Sequence, residues 1–98
     1  MFLTTRPEML AAAAGNFETI GSAMAANNSA AAGPTTGVIP AGADEVSAMT
    51  ATQFAMHAEM YQTIGAQAAA IHQQFVATLS ASATSYAATE AANAIATG

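Results

Sequence analysis

The side chains with the widest chemical repertoire in this sequence are two histidines, His57 and His72, and the nearby carboxylate of Glu59. An imidazole acts as a general base or a metal ligand when a second ligand or an orienting carboxylate lies within reach. The two histidines are fifteen residues apart, which on a helix separates them by about 22 Å. Glu59 is two residues from His57 and therefore lies on a different helix face. The spacing predicts no catalytic pair and no metal site, but a hydrogen-bonded interface residue at His57 and a solvated or rim residue at His72.

Other catalytic signatures are also missing from the sequence. It contains no cysteine, no glycine-rich phosphate loop, no His-Glu-x-x-His motif and no nucleophile elbow. We therefore expect a protein that is not an enzyme and binds no cofactor.

Tyr86 and Glu90 form a different kind of pair, because they are four residues apart and would share one face if the helix persists to Glu90. We expect the helix to end near Tyr86, where a carboxylate opposes the helix dipole and adds nothing to helix stability. An aromatic ring beside a carboxylate on an accessible helix end is a compact recognition surface. The pair is therefore a candidate signal for another protein.

The element that must position these residues is a stretch from Asp44 to about Tyr86 with no proline and one glycine, Gly65. It predicts a single helix, which Asp44 caps and Glu45 supports through the helix dipole. At about 1.5 Å per residue the helix would be roughly 65 Å long. The rest of a chain this short cannot cover such a helix, so we expect a partner.

Two apolar stripes on this helix indicate two neighbours. One follows a coiled-coil-like spacing through Phe54, Tyr61, Ala68, Phe75 and Ser82. The other lies on the N-terminal half and includes three methionines, whose flexible thioethers suit an irregular surface. The residues predicted to contact a partner are Val46, Met49, Met56, Met60, Phe54, Tyr61, Ile64, Ile71, Phe75 and Leu79.

An earlier, shorter helix is predicted from about residue 6 to residue 32. Thr5 and Glu8 fit a capping box, with Glu8 accepting the Thr5 backbone N–H, and Pro7 falls in the first turn, where its missing N–H costs nothing. Its seam repeats every seven residues through Leu3, Leu10, Phe17, Met24 and Ala31, with Ala13, Ile20 and Asn27 between them. The residues predicted to contact the long helix are Leu10, Phe17, Ile20 and Met24.

The 98 residues allow one domain. We expect helix one at about 6–32, a loop at 33–43 that Gly33 and Pro34 begin, helix two at about 44–86 and a flexible tail at 87–98. The fold class is all-α: an antiparallel two-helix hairpin with an elongated second helix that completes a four-helix bundle with a partner. Alanine supplies much of the apolar share of 53% and buries little area, so the hairpin alone should be marginally stable.

Charge and hydropathy exclude several functions. The net charge is −5 and Arg6 is the single basic residue, which argues against nucleic acid binding. The N-terminus lacks the unbroken apolar core of a Sec signal peptide. Polar residues interrupt every apolar run before it is long enough for a transmembrane segment.

Considered together, these features resemble the mycobacterial PE family. The resemblance rests on Pro7-Glu8 near the start, an alanine-rich helix, a Gly/Pro loop, a longer second helix and Tyr86-Ala-Ala-Thr-Glu90 near the end. It covers the whole chain. Pro-Glu alone and Tyr-x-x-x-Glu alone are weak indications of the family. The two motifs at the expected ends of a two-helix pattern are a specific indication.

The resemblance implies a function. PE proteins pair with PPE proteins as helical heterodimers and leave the cell through type VII (ESX-type) secretion systems, escorted by an EspG-type cytosolic chaperone that binds the PPE subunit. It implies that Tyr86 and Glu90 belong to the export signal, that Pro7 and Glu8 are the family motif, and that the mature protein is secreted or displayed at the cell surface. Many members continue into a long C-terminal region, so this chain is either a short member or an N-terminal domain.

Two alternatives stay open on the residues alone. One is an amphipathic protein that binds membranes or a host surface, although the polar faces lack the Lys and Arg used on anionic lipid. The other is a helical bundle that associates with copies of itself.

Overall fold

A computed structural model describes residues 3–98 of the chain. Two helices account for most of them: α1 spans Pro7–Thr36 and α2 spans Glu45–Thr97. No strand occurs in the described part. The protein is all-α with two long helices.

Helix α1 begins where the sequence predicts. The Arg6 carbonyl accepts hydrogen bonds from the backbone N–H groups of Met9 and Leu10 at 3.0 and 3.3 Å, and Pro7 is the first helical residue. The predicted capping box does not form, because the Thr5 N–H donates to Glu90 and not to Glu8. The helix also continues past Gly33 and Pro34. A proline this close to the end of a helix removes only one hydrogen bond from its last turns.

Helix α2 begins after Asp44, and this capping prediction is confirmed. The Asp44 carboxylate accepts the backbone N–H and the hydroxyl of Ser47 at 2.8 and 2.9 Å. The helix continues to Thr97, through the segment predicted as a flexible tail. Residues 87–97 contain many alanines and neither glycine nor proline, so helix propensity is sufficient to extend α2 until Gly98.

The chain divides into two compact units. The terminal unit contains the described residues up to Gly21 together with Ile71–Gly98, and the loop unit is Ser22–Ala70. In the terminal unit the segments of α1 and α2 run antiparallel, since Thr5 contacts Glu90 and Phe17 contacts Phe75. In the loop unit Asn28 of α1 contacts Tyr61 and Gln62 of α2.

Small side chains form the buried seam of each unit. In the loop unit Ala51 and Ala58 are buried, and in the terminal unit Ala14, Val76 and Ala83 are buried. No large side chain among the described residues is fully buried. Small residues allow two helices to approach closely but remove little apolar area from water, so each unit has a thin core.

Candidate functional site

The loop unit presents an exposed apolar face on α2. The stripe predicted on the N-terminal half of this helix is exposed. Val46 and Met49 are 72% and 62% exposed, and Met56 and Met60 are also exposed. These residues lie off the seam because the seam follows Ala51 and Ala58. A shallow depression on this face is lined by Met56, Glu59, Met60, Thr63, Ile64 and Gln67. It is an open apolar surface with a polar border.

The coiled-coil-like stripe predicted through Phe54 and Tyr61 also begins in the loop unit, where Phe54, Tyr61 and Ile64 are exposed. Tyr61 has an additional contact within the chain, since its hydroxyl donates to the Asn28 side-chain oxygen at 2.8 Å. Gln62 donates to the Asn28 carbonyl at 2.9 Å. The tyrosine is thus fixed at its hydroxyl while much of its ring remains accessible.

In the terminal unit the stripe continues with Ile71 and Phe75, which are exposed, and Leu79, which is half-buried. The ring of Phe75 meets that of Phe17 edge to face, with centroids 5.3 Å apart and planes at 84°. This geometry is favourable for aromatic pairs. Phe75 therefore contacts α1 with one edge and leaves about half of its surface, 49%, accessible.

The other residues predicted to contact the long helix do not all lie on its seam. Leu10 is half-buried, whereas Ile20 and Met24 are 54% and 53% exposed. The positions turned toward α2 are instead Gly21, which is half-buried in the terminal unit, and Asn28, half-buried in the loop unit. Asn28, and not Asn27, is the polar residue of the seam.

His72, predicted to be solvated or at the rim, is half-buried against α1. Its Nε2 lies 2.6 Å from the Phe17 carbonyl oxygen, and its ring stands edge-on to the Phe17 ring, with centroids 6.3 Å apart. A neutral imidazole with its proton on Nε2 donates this hydrogen bond. His57 is exposed. Thus His72 is the histidine that stabilises the hairpin.

Glu90 joins the two ends of the chain. Its Oε1 accepts hydrogen bonds from both the backbone N–H and the hydroxyl of Thr5, each at 2.9 Å. Glu90 is half-buried and lies about two turns before the end of α2. The expected opposition to the helix dipole therefore does not apply, because that effect is confined to the last turn.

Tyr86 lies one turn before Glu90 and is 46% exposed. It continues the seam spacing of Val76, Leu79 and Ala83 in alternating steps of three and four residues. The family motif residues are near the same end of the terminal unit, since Pro7 and Glu8 directly follow the segment held by Glu90. Pro7 is half-buried and Glu8 is exposed.

The described residues offer no metal centre and no membrane-spanning helix. Residues 3–98 contain no group of three or more His, Cys, Asp or Glu side chains placed to hold a metal ion. Over the same residues, neither helix has a stretch both long and apolar enough to cross a membrane. What the site offers chemically is apolar surface and a hydrogen-bonded carboxylate.

Three contacting residues were not found from the sequence: Thr5 as a partner of Glu90, Gly21 and Asn28. A signal for the last two exists, because Ala14, Gly21 and Asn28 repeat every seven residues on α1, as the small residues Ala51, Ala58 and Gly65 do on α2. A search restricted to large apolar side chains overlooks this alanine and glycine seam. The Thr5 contact joins residues 85 positions apart and has no local signal.

The described residues thus define a two-helix protein whose seams consist of small side chains and whose large apolar side chains are accessible. The chain belongs to the PE family, whose family model matches residues 3–93. It is 64% identical to the PE family protein PE13 of Mycobacterium tuberculosis over 95 residues, which are 97% of this chain and 96% of PE13.

Longer relatives contain a similar segment. The chain is 52% identical over 92 residues to PE8 of the same species, covering 94% of this chain and 34% of PE8. It is 55% identical over 93 residues to the M. tuberculosis protein PE_PGRS33, covering 95% of this chain and 20% of that protein. The chain therefore spans almost all of PE13 but about a third and a fifth of these two relatives.

Proposed function

We propose that this chain is the PE subunit of a heterodimer with a PPE protein, and that its two helices complete a four-helix bundle with two helices of the partner. The observation that supports this proposal best is the exposed apolar face of the loop unit, from Val46 to Ile64. Soluble monomers rarely expose contiguous apolar patches of this kind, and such patches mark interaction sites. Membership of the PE family favours a PPE protein as the partner.

The pattern of exposure also supports a helical partner. Val46, Met49, Met56 and Met60 follow steps of three, seven and four residues along one face of α2, which is the spacing that contacts an adjacent helix. The thioethers of the three methionines adapt to an irregular surface. Leu79 and Phe75 in the terminal unit add apolar area to the proposed interface.

The proposed role of the heterodimer is in export. We infer that the pair assembles in the cytosol, that an EspG-type chaperone binds its PPE subunit, and that a type VII (ESX-type) secretion system exports it to the cell surface or medium. Tyr86 and Glu90 are the proposed signal. The chain itself would be non-enzymatic and without a cofactor.

Co-expression tests the partnership directly. Size-exclusion chromatography with light scattering should give a 1:1 complex when the chain is produced with its PPE partner. We expect the chain produced alone to aggregate or to unfold without a cooperative transition. A monodisperse monomer that unfolds cooperatively would contradict the proposal, and a stable homodimer would favour self-association instead.

Lipid binding is tested in the same preparation. With a net charge of −5 and one basic residue, the chain should not bind vesicles of anionic phospholipid, because electrostatic attraction is absent. Co-sedimentation of the chain with such vesicles would favour the amphipathic alternative.

A further inference from the structure

The Glu90 carboxylate is already engaged within the chain. Its Oε1 accepts the Thr5 N–H and the Thr5 hydroxyl, both at 2.9 Å, and both residues are half-buried. A carboxylate bonded in this way is less available to an external cation than one that projects into solvent. The same contact fixes the position of the short segment that precedes α1.

The donors are well suited to this contact. Thr5 precedes the first helical residue, Pro7, so neither its backbone N–H nor its hydroxyl is required by the helix. Hydrogen bonds to an ionised acceptor are stronger than neutral ones. The two bonds together therefore hold residues Leu3–Arg6 against the C-terminal part of α2.

The contact brings two distant parts of the chain to one end of the terminal unit. Tyr86 lies one turn from Glu90 on the same face of α2, and Pro7 and Glu8 follow Thr5 by two and three residues. The exposed side chains at this end include Leu3, Glu8 and Tyr86. The contact of Thr5 with Glu90 places the segment that precedes α1 beside Glu8 and Tyr86.

We propose that Glu90 is a positioning residue for export, and that the export machinery recognises a composite surface of Tyr86 and the N-terminal segment Leu3–Glu8. The negative charge of Glu90 is then not the feature that is recognised. This inference rests on the proposed function, since it specifies how the proposed signal is presented. The partner is a protein with a pocket for the Tyr86 ring beside a surface that contacts Leu3 and the opposite charges of Arg6 and Glu8.

Two matched pairs of variants test the proposal in the PE/PPE complex, with export measured as the ratio of exported to cytosolic protein. Glu90→Gln preserves an oxygen that accepts both Thr5 donors but removes the charge, whereas Glu90→Ala removes the acceptor. Thr5→Val removes the hydroxyl donor with little change in shape, and Thr4→Val makes the same change at an exposed neighbour.

Positioning by Glu90 predicts a specific pattern. Export persists in Glu90→Gln and Thr4→Val and falls to background in Glu90→Ala. In Thr5→Val, the ratio of molecules with the N-terminal segment held to molecules with it released falls about tenfold, as expected for the loss of one hydrogen bond. Export falls with this ratio. The backbone amide of residue 5 in the ¹⁵N-labelled complex should exchange faster with solvent in Glu90→Ala and Thr5→Val than in Glu90→Gln.

The opposite pattern overturns the inference. Loss of export in Glu90→Gln with normal export in Thr5→Val would show that the charge itself is recognised. Unchanged Thr5 amide exchange in Glu90→Ala would show that the two residues do not hold each other. Normal export of both Tyr86→Ala and Glu90→Ala would instead refute the proposed export signal, a result distinct from either of these. Equal recovery of the heterodimer in the cytosol excludes misfolding as the cause of any loss.

Discussion

The imidazole of His72 occupies the space that a side chain at position 21 would need. A Cβ atom on Gly21 would lie 2.6 Å from Cδ2 and 2.8 Å from Nε2 of His72. The same Nε2 bonds to the Phe17 carbonyl oxygen. A glycine in the middle of α1, which costs helix stability, thus permits a hydrogen bond from α2 to the α1 backbone.

Gly21→Ala should therefore destabilise the protein despite the better helix propensity of alanine. The new methyl group displaces the His72 ring and breaks a hydrogen bond whose net contribution is about 0.5–1.5 kcal/mol. Gly15→Ala is the matched control, because nothing lies within 4 Å of a Cβ there, and it should stabilise by about 0.5–1 kcal/mol. Thermal unfolding of the complex with the partner, followed by circular dichroism, compares the two variants.

Adding His72→Ala provides a further check on this contact. In the double variant the methyl group at position 21 meets no ring, so Gly21→Ala should become neutral or stabilising. Equal effects of Gly21→Ala with and without His72 would contradict the proposed steric cause.

The two-helix architecture, the start of each helix and the Asp44 cap could be predicted from the sequence, because they depend on local residues: proline at the first helical position and an acidic cap. The seam between the helices could not. Large apolar residues at positions 20 and 24 fit the heptad spacing as well as Gly21 and Asn28 do. Which register forms depends on how closely the helices approach.

A tertiary contact also decided which group accepts the Thr5 N–H before the start of α1. Glu8 has the correct spacing to cap Thr5, but Glu90 accepts the Thr5 N–H instead. No local pattern predicts a competitor 85 residues away. The tail was predicted to be flexible because it lacks large side chains, yet a helix that is already nucleated extends through alanines at little cost.

Asp44 should give the protein a pH-dependent contribution to stability. The Ser47 backbone N–H, followed by the Ser47 hydroxyl, lowers the pKa of the Asp44 carboxyl from its ordinary value of 3.8. Because the pKa is lower in the folded state, the stabilisation is present above the unfolded value and is lost as the pH falls through the folded value.

The measurement is the difference in unfolding temperature between the parent chain and Asp44→Asn, each in complex with the partner, as the pH is lowered from about 6 to about 3. Asparagine retains a capping oxygen but does not titrate. The advantage of aspartate should shrink at acid pH, and a constant or growing difference would contradict the assigned cap. Asp44→Ala should be less stable than the parent above pH 3.8, where the carboxylate is ionised.

Phe54→Ala should disrupt the complex with the partner and leave the chain's own seam intact. Phe54 is exposed in the loop unit, so truncation removes little packing from the isolated chain. If a partner buries it, the loss approaches the ~3–5 kcal/mol of a core phenylalanine, which weakens association by more than a hundredfold.

Co-purification of the tagged partner measures this effect. Ile39→Ala is the control, because Ile39 is a more exposed apolar residue, at 86% against 62% for Phe54, and lies in the loop between the helices, outside the predicted interface. Phe75→Ala should also reduce co-purification, with an added loss of the Phe17 contact. Undiminished recovery of the complex for both phenylalanine variants would place the interface elsewhere.

Tyr86→Ala should abolish export and leave the heterodimer assembled. Tyr86 is 46% exposed and follows the buried Ala83 on the seam face, so its ring has accessible surface that a second protein can contact. Truncation removes the aromatic ring but breaks neither hydrogen bond that Glu90 accepts from Thr5.

Ile95→Ala is the control, since it truncates a more exposed apolar residue on the same terminal part of α2. Each variant would be expressed with its partner in a mycobacterium, and the cytosolic fraction would be compared with the surface and culture-filtrate fractions. Equal cytosolic complex with export at background for Tyr86→Ala, and normal export for Ile95→Ala, is the expected result. If Tyr86→Ala is exported normally, the ring is not part of the signal. If the complex itself disappears from the cytosol, Tyr86 belongs to the packing of the terminal unit and not to a surface that the export machinery recognises.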